Sequence, residues 1–403
     1  MARGEKIKIE GRPVWAEVRL SALTHNLQSI RKHLDAGSAI VAGAKSAKRV
    51  KIFAVVKGNA YGHGSVAVTK ALAKAGADMF CVTCTSEGIE LREAGVKQPI
   101  LVLTGFWPGE EKRLIEHRLT PSVTNCDQLK LLERAGARAA RKLRGPMDFH
   151  FKIDSGMNRL GASPESIPCF ANMLKECKHL RLAGTFTHLA SSEVMTTSET
   201  PDQTRVFQGA LARMRELGVS PGVVHMANSA AIISSPATWM DAVRPGAILY
   251  GYHQNYDPPA KTTEAMKRVQ LQPALSFRAR IISLRDIPSG SGVGYNAKFQ
   301  AARPSRIGIL AAGYADGIPR GMSNHGNVIV RGQFAPVVGT ISMDLTAVDV
   351  TDVEGAEVGD IATIFGADGE VKQYAFDVAR QLGMVTAQAL VGLGWRVPRI
   401  YLR

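Results

Sequence analysis

Between Ile52 and about Gly251, short apolar runs alternate with stretches of helical pattern, and few folds accept that alternation. The runs 52–57, 79–83, 100–103, 120–123, 148–153, 182–186, 223–226 and 248–250 read as buried strands. Helices fit between them, over 86–94, 125–140, 164–177 and 201–217, and Asn125 followed by Gln128 has the spacing of a capping box. Eight strands with intervening helices predict a closed (β/α)8 barrel. An open doubly wound sheet is the alternative, but no Gly-x-Gly-x-x-Gly string follows a strand to support it.

The texture changes after Gly251, where Asp257-Pro-Pro-Ala-Lys has linker character. Short β-rich runs split by Gly and Pro follow, over 274–284, 307–311, 327–331, 335–339, 345–350 and 361–365, with one helical stretch near 371–382. The expected organisation is α/β, with a barrel domain over residues 1–255 and a mostly β C-terminal domain over 256–403.

Composition narrows the function classes. No apolar run reaches the roughly 18 residues that span a bilayer, and the basic N-terminus lacks the apolar stretch of a signal peptide, so a cytoplasmic protein without membrane partners is expected. Five cysteines in 403 residues do not make a disulfide framework. Cys81-Val-Thr-Cys84 has redox or zinc spacing, but in a strand positions three apart face opposite ways, and no metal site is expected. The formal charge of +15 is densest in 44–51 and 134–144. Neither stretch interleaves aromatics with its basic residues, so a solvated surface is expected rather than a nucleic-acid partner.

The strongest chemical signal is Phe53-Ala-Val-Val-Lys57-Gly58-Asn59-Ala60-Tyr61-Gly62-His63-Gly64. A lysine at the mouth of a buried strand loses solvation, its pKa falls, and the free amine becomes a nucleophile. That is what bonding to a carbonyl cofactor requires. In a barrel, functional residues sit at the C-terminal ends of strands. Lys57, His188, His225 and Tyr250 are predicted near such ends, and Lys152 just inside one.

The Lys57 string resembles the cofactor-lysine motif of alanine racemases. The resemblance continues in order through Lys152-Ile-Asp-Ser-Gly-Met-Asn-Arg159-Leu-Gly161, Thr187-His188, His225-Met-Ala-Asn228-Ser229-Ala230 and Val243-Arg244-Pro-Gly246-Ala247-Ile-Leu-Tyr250-Gly251. It closes with Gly292-Val-Gly-Tyr295, Gly313-Tyr314-Ala-Asp316-Gly317, Gly339-Thr-Ile-Ser342-Met343-Asp344 and Arg396-Val-Pro-Arg399.

The resemblance implies an isomerase that uses pyridoxal 5'-phosphate to interconvert L- and D-alanine by a two-base mechanism, supplying D-alanine for peptidoglycan. Lys57 would carry the Schiff base and serve one face of the substrate; Tyr295, from the partner subunit of a homodimer, would serve the other. Tyr61, Ser229 and the backbone of Gly246 and Ala247 would hold the phosphate, with Arg159, His188, Asn228 and Tyr250 among the other cofactor residues. Arg244 would face the pyridine nitrogen; because arginine only donates, that nitrogen would stay unprotonated and transamination would be suppressed. Arg159 and the Met343 backbone would anchor the substrate carboxylate, Tyr314 would line the access channel, and Lys152 would be open to carbamylation. The resemblance also implies that Trp15-Ala-Glu-Val18 joins the second domain.

Trp395 stands where some relatives have tyrosine, and Ala387-Gln388 where many have Tyr-Glu, which leaves a broader-specificity, serine or lysine racemase as the alternative. Arg244 argues against a decarboxylase of the same architecture, and the second domain argues against a single-barrel cofactor carrier.

Overall fold

The computed structural model describes residues 11–42, 49–140 and 145–403. The basic segments 44–48 and 141–144 lie outside the described residues. The chain forms two compact units: one holds Ala22–Ala60 and Ser65–Gln272, the other Tyr61–Gly64 and Pro273–Arg403 with the described residues before Ala22.

The second unit takes the first strand, β1 (Val14–Arg19), and the first unit contains the barrel. Its strands are β2 (Lys51–Val55), β3 (Met79–Val82), β4 (Ile100–Val102), β5 (Thr120–Val123), β6 (Met147–Lys152), β7 (Leu180–Phe186), β8 (Val223–His225) and β9 (Ala242–Val243). Each pairs in parallel with the next, and Lys51 and Ile52 of β2 pair with Ala242 and Val243 of β9 to close the ring. A short strand with a helix on its outer side is buried on both faces, which is why β2, β3 and β4 are apolar but for Lys51.

The eighth strand is not the expected 248–250 but β9. Ala247–Tyr250 forms a 3-10 turn, with Tyr250 fully buried and its hydroxyl donating to the Val55 carbonyl at 2.9 Å. A short apolar run has no periodicity that separates a strand from a buried turn. The helix Cys126–Ala139 is capped as its sequence suggests, since Asn125 Oδ1 accepts from the Gln128 N–H at 2.9 Å. The Gln128 side chain reaches past the cap, to the Thr124 N–H at 2.8 Å.

In the β-rich unit the sheet runs Gln333–Pro336, Asn327–Val330, Ile361–Asp368, Leu275–Ile287, β1, Arg399–Leu402. β1 is antiparallel to Leu275–Ile287 and parallel to Arg399–Leu402. The stretch expected to be helical from 371 begins as a strand, Val371–Gln373, because Gly369, at φ 61°, turns the chain back into a hairpin. The helix Ala375–Gln381 starts only after Tyr374, where Asp377 completes a capping box.

Three arginines hold this unit together. Arg396 and Arg12 pair with the fully buried Asp316 at 2.8 and 3.3 Å. Arg399 donates to the carbonyls of Gly62, Leu393, Gly394 and Val397. The Arg-Val-Pro-Arg string thus ties a buried carboxylate through Arg396 and four backbone carbonyls through Arg399.

Glycines report how tightly the barrel is filled. A Cβ on Gly184 would lie 2.6 Å from His150 Cε1 and 2.7 Å from the Val223 carbonyl oxygen. Gly209, midway along the helix Glu199–Glu216, has nothing within 4 Å. Gly184→Ala should destabilise the protein by about 1–3 kcal/mol through overpacking. Gly209→Ala should stabilise it by about 0.5–1 kcal/mol, since only helix propensity changes. Thermal melts of the two variants should therefore shift in opposite directions.

Candidate active site

The barrel's C-terminal face carries the charged residues, and its geometry starts at Lys57. After β2 the chain enters a left-handed turn: Gly58, Asn59, Ala60 and Tyr61 have φ of 62°, 53°, 52° and 52°. Left-handed backbone costs about 1–2 kcal/mol for each residue with a Cβ, so something must hold the turn. Glu87 does so, its carboxylate accepting from the Gly58 N–H at 2.6 Å and the Thr83 N–H at 2.7 Å. Asn59 Oδ1 accepts from the Ser65 N–H at 2.8 Å and stops the turn.

Lys57 keeps an exposed surface, yet its ammonium is held below the usual lysine range. Packing at the barrel mouth is the main cause and the positive charge of Arg159 the second, with Glu87 opposing both.

Arg244, directly after β9, lies inside the barrel with 4% of its surface exposed. Nη1 donates to His225 Nδ1 at 2.7 Å; Nη2 donates to the carbonyls of Thr187 at 2.6 Å and Met226 at 3.0 Å and faces His188 Nδ1 at 3.3 Å. A guanidinium only donates, so His225 Nδ1 must accept and its proton sits on Nε2. Nε2 then donates to His150 Nδ1, 2.8 Å away, which places the His150 proton on its own Nε2. Burial, first of all, and the nearby charge of Arg244 keep these rings neutral: His150 and His188 are each pushed down to about 3, and His225 lies well below its usual value. Burial lowers Arg244 to about 10, and it remains a cation at neutral pH.

Phe186 at the end of β7 is the floor of this cluster. It stacks on His225 at 4.8 Å, nearly coplanar at 6°, with Arg244 5.2 Å and Lys152 5.5 Å from its ring centre. An aromatic face offsets part of the cost of two buried cations. Lys152, 6% exposed, is pushed down to about 8 by burial first and then by the charges of Arg244 and Arg159.

Ser229 and Gly246 meet near the same face. The Gly246 N–H donates to Ser229 Oγ at 2.8 Å, leaving the hydroxyl proton to be given elsewhere. Asn228, not Ser229, caps the helix Ser229–Ser234; its Oδ1 accepts from the Ala231 N–H at 3.0 Å and the Ser192 hydroxyl at 2.7 Å. Ala247 opens the 3-10 turn that ends at Tyr250.

The barrel unit thus brings together Lys57, Lys152, Arg159, His188 and Arg244, which feel one another's charges. Tyr61, Tyr295, Tyr314 and Met343 belong to the β-rich unit. Tyr295 opens a 3-10 turn at the tip of the hairpin Gly292–Val293/Phe299–Gln300 and is 69% exposed, so it is not an aromatic packed into its own turn. The tip is shaped by close approach: a Cβ on Gly339 would lie 2.6 Å from the Val293 carbonyl oxygen. Tyr314 and Met343 are also exposed. His150, Phe186 and Glu87 escape a reading of the sequence alone, although the two-residue step from His150 to Lys152 signals a shared inward face.

A closed parallel barrel followed by a mostly β unit, with a lysine of depressed pKa at the barrel mouth, is the build of an amino-acid racemase, an isomerase. The family described as "Alanine racemase, N-terminal domain" matches residues 18–254, and "Alanine racemase, C-terminal domain" matches residues 274–401. An alanine racemase of Halothermothrix orenii is 35% identical over 390 residues, covering 97% of each chain. The crystal structure of alanine racemase from a D-cycloserine-producing Streptomyces lavendulae superposes with a TM-score of 0.87 at 30% identity, covering 98% of each chain. That of Bacillus anthracis, with bound L-Ala-P, gives 0.84 at 30% identity, covering 98% of this chain and 96% of the other. The chain belongs to the alanine racemase family.

Lys152 supplies a pH signature. Its pKa is about 8 in the folded chain against an ordinary 10.5. Below pH 8 it is charged in both states and the fold carries the cost of burying it. Between 8 and 10.5 the unfolded chain binds more protons, so stability rises with pH, and above 10.5 the cost is gone. Lys152→Met should therefore stabilise the protein by up to about 3 kcal/mol below pH 8, an advantage that fades toward pH 10.5. Melting curves in carbon-dioxide-free buffer across this range test it; a difference that does not change with pH contradicts it.

Proposed function

We propose that this racemase interconverts L- and D-alanine with pyridoxal 5'-phosphate, using Lys57 and Tyr295 as bases on opposite faces of the substrate. The observation that carries the reading is a barrel mouth with four cations, Lys57, Lys152, Arg159 and Arg244, against two carboxylates, Glu87 and Asp154. Among the described residues no carboxylate pairs with Arg244. Such a site suits a ligand with several negative charges and a hydrogen-bond acceptor for a fixed guanidinium. Pyridoxal phosphate has both.

The cofactor, when bound, supplies a carbonyl carbon for an amine and a ring that takes up electron density from the substrate Cα. The phosphate would be held by the Ser229 hydroxyl, the Gly246 and Ala247 backbone and Tyr61, with Asn228 and Tyr250 fixing the segments that present them. Arg244 would donate to the pyridine nitrogen and leave it without a proton, which limits electron withdrawal and favours simple return of a proton. Lys57, with its depressed pKa, would remove or return the Cα proton on one face. Tyr295 of the partner subunit would serve the other, in a homodimer with composite sites. A tyrosine needs a hydrogen bond or a nearby positive charge to act as a base, and His188, held neutral, would supply the hydrogen bond.

Arg159 and the Met343 backbone would hold the substrate carboxylate, and Tyr314 would line the access channel. Lys152, about half deprotonated near pH 8, would take up carbon dioxide through its free amine, losing a proton and becoming an anion that relieves its repulsion with Arg159. The product would serve peptidoglycan synthesis in the cytoplasm. Among the described residues no helix is long and apolar enough to cross a membrane.

The first test is chiral chromatography after incubation with each L-amino acid and cofactor. Alanine should be converted fastest; if another amino acid leads clearly, the substrate is wrong. Tyr295→Ala should slow racemisation by about a hundred-fold or more without loss of cofactor, and Lys57→Ala should abolish the covalent bond to it. Mixing the two inactive variants should restore activity to about a quarter of wild type per chain if subunits associate at random. No recovery, with subunit exchange shown by mass spectrometry, excludes the composite site.

A further inference from the structure

All five cysteines are free thiols, but two of them are not independent. Cys126 and Cys169 lie 43 residues apart in sequence with their sulfurs 3.2 Å apart. Cys126 opens the helix Cys126–Ala139 that follows β5, and Cys169 is in the first turn of the helix Ile167–Glu176 that follows β6. Cys169 is exposed and Cys126 half-buried, so reagents in solvent reach the pair. A disulfide needs sulfurs about 2.05 Å apart, so closure requires a movement of roughly 1 Å, within the reach of side-chain rotation.

We propose that Cys126 and Cys169 form a reversible redox site, closed to a disulfide by exchange with low-molecular-weight disulfides. The Cys169 thiolate attacks one sulfur of the small disulfide, forming a mixed disulfide and releasing one thiolate. Cys126 then loses its proton and attacks the Cys169 sulfur, releasing the second. Two protein thiols are oxidised, and one small disulfide is reduced to two thiols. Burial and the neighbouring thiol hold Cys126 up at about 11, which suits it to the second, intramolecular step better than to the first.

Position gives the bridge a consequence. Both helices begin at the barrel face where Lys152 ends β6, and the segment between Lys152 and Ile167 carries Asp154 and Arg159. A bond between the two first turns ties that segment on its outer side. Loop closure also restricts the unfolded chain, so the oxidised protein should be the more stable form.

The test uses the full chain with its cofactor, treated with oxidised glutathione and mapped by peptide mass spectrometry without reduction. The expected product has lost two hydrogen atoms, contains a cross-linked peptide joining Cys126 to Cys169, melts several degrees higher, and reverts with a thiol reductant. Cys126→Ser should show neither cross-link nor shift, while Cys84→Ser behaves as wild type. The exposed Cys84 calibrates the reagent. Glutathione on Cys84 with thiols left at Cys126 and Cys169 overturns the proposal. Mixed disulfides that persist at Cys126 or Cys169, or bridges between chains, overturn it equally.

Discussion

A guanidinium buried inside the barrel, with neutral acceptors around it, sets the chemistry of everything nearby. Arg244 donates to His225, Thr187 and Met226 and faces His188. Because it only donates, it fixes where the protons of His225 and then His150 must sit. Its charge adds to burial, the larger effect, in lowering His150, His188, His225 and Lys152. A carboxylate in its place would reverse each of these effects: it would draw protons onto the imidazoles and hold Lys152 charged.

The second constraint is conformational. Lys57 stands at the head of a left-handed turn that ordinary residues avoid, and Glu87 holds that turn by accepting from the Gly58 N–H while the Thr83 N–H fixes its other oxygen. The same carboxylate raises the Lys57 pKa, against the larger effects of packing and Arg159. One side chain therefore maintains strained backbone and moderates the lysine, which places the amine at a barrel-strand end without leaving it an ordinary surface ammonium.

Much of this was legible in the sequence because it is carried by repetition and by short strings. The barrel follows from strands alternating with helices, and Lys57, Arg244 and Ser229 sit in strings that mark strand ends and turns. What was lost depends on tertiary packing. The run 248–250 is apolar because Tyr250 packs beneath Val55, not because it pairs as a strand. Val371–Gln373 reads as helical by its local pattern but forms a strand, because the Gly369 turn outweighs that pattern. The spacing of His150 and Lys152 signals a shared inward face, but the partner of His150, His225, lies 75 residues away and no local pattern joins them. The string Arg396-Val-Pro-Arg399 carries the resemblance without showing what it does, because its partners, a buried aspartate and backbone carbonyls of the same unit, are mostly distant in sequence.

The claim that burial and Arg244 keep the imidazoles neutral, with Arg244 fixing where their protons sit, is tested most directly by long-range proton–nitrogen NMR of histidine-labelled protein from about pH 5 to about pH 8, where an ordinary imidazole titrates. The structure predicts that His225 and His150 stay neutral throughout, each with its proton on Nε2. A signal from either ring that titrates in that range, or that reports a proton on Nδ1, contradicts the account.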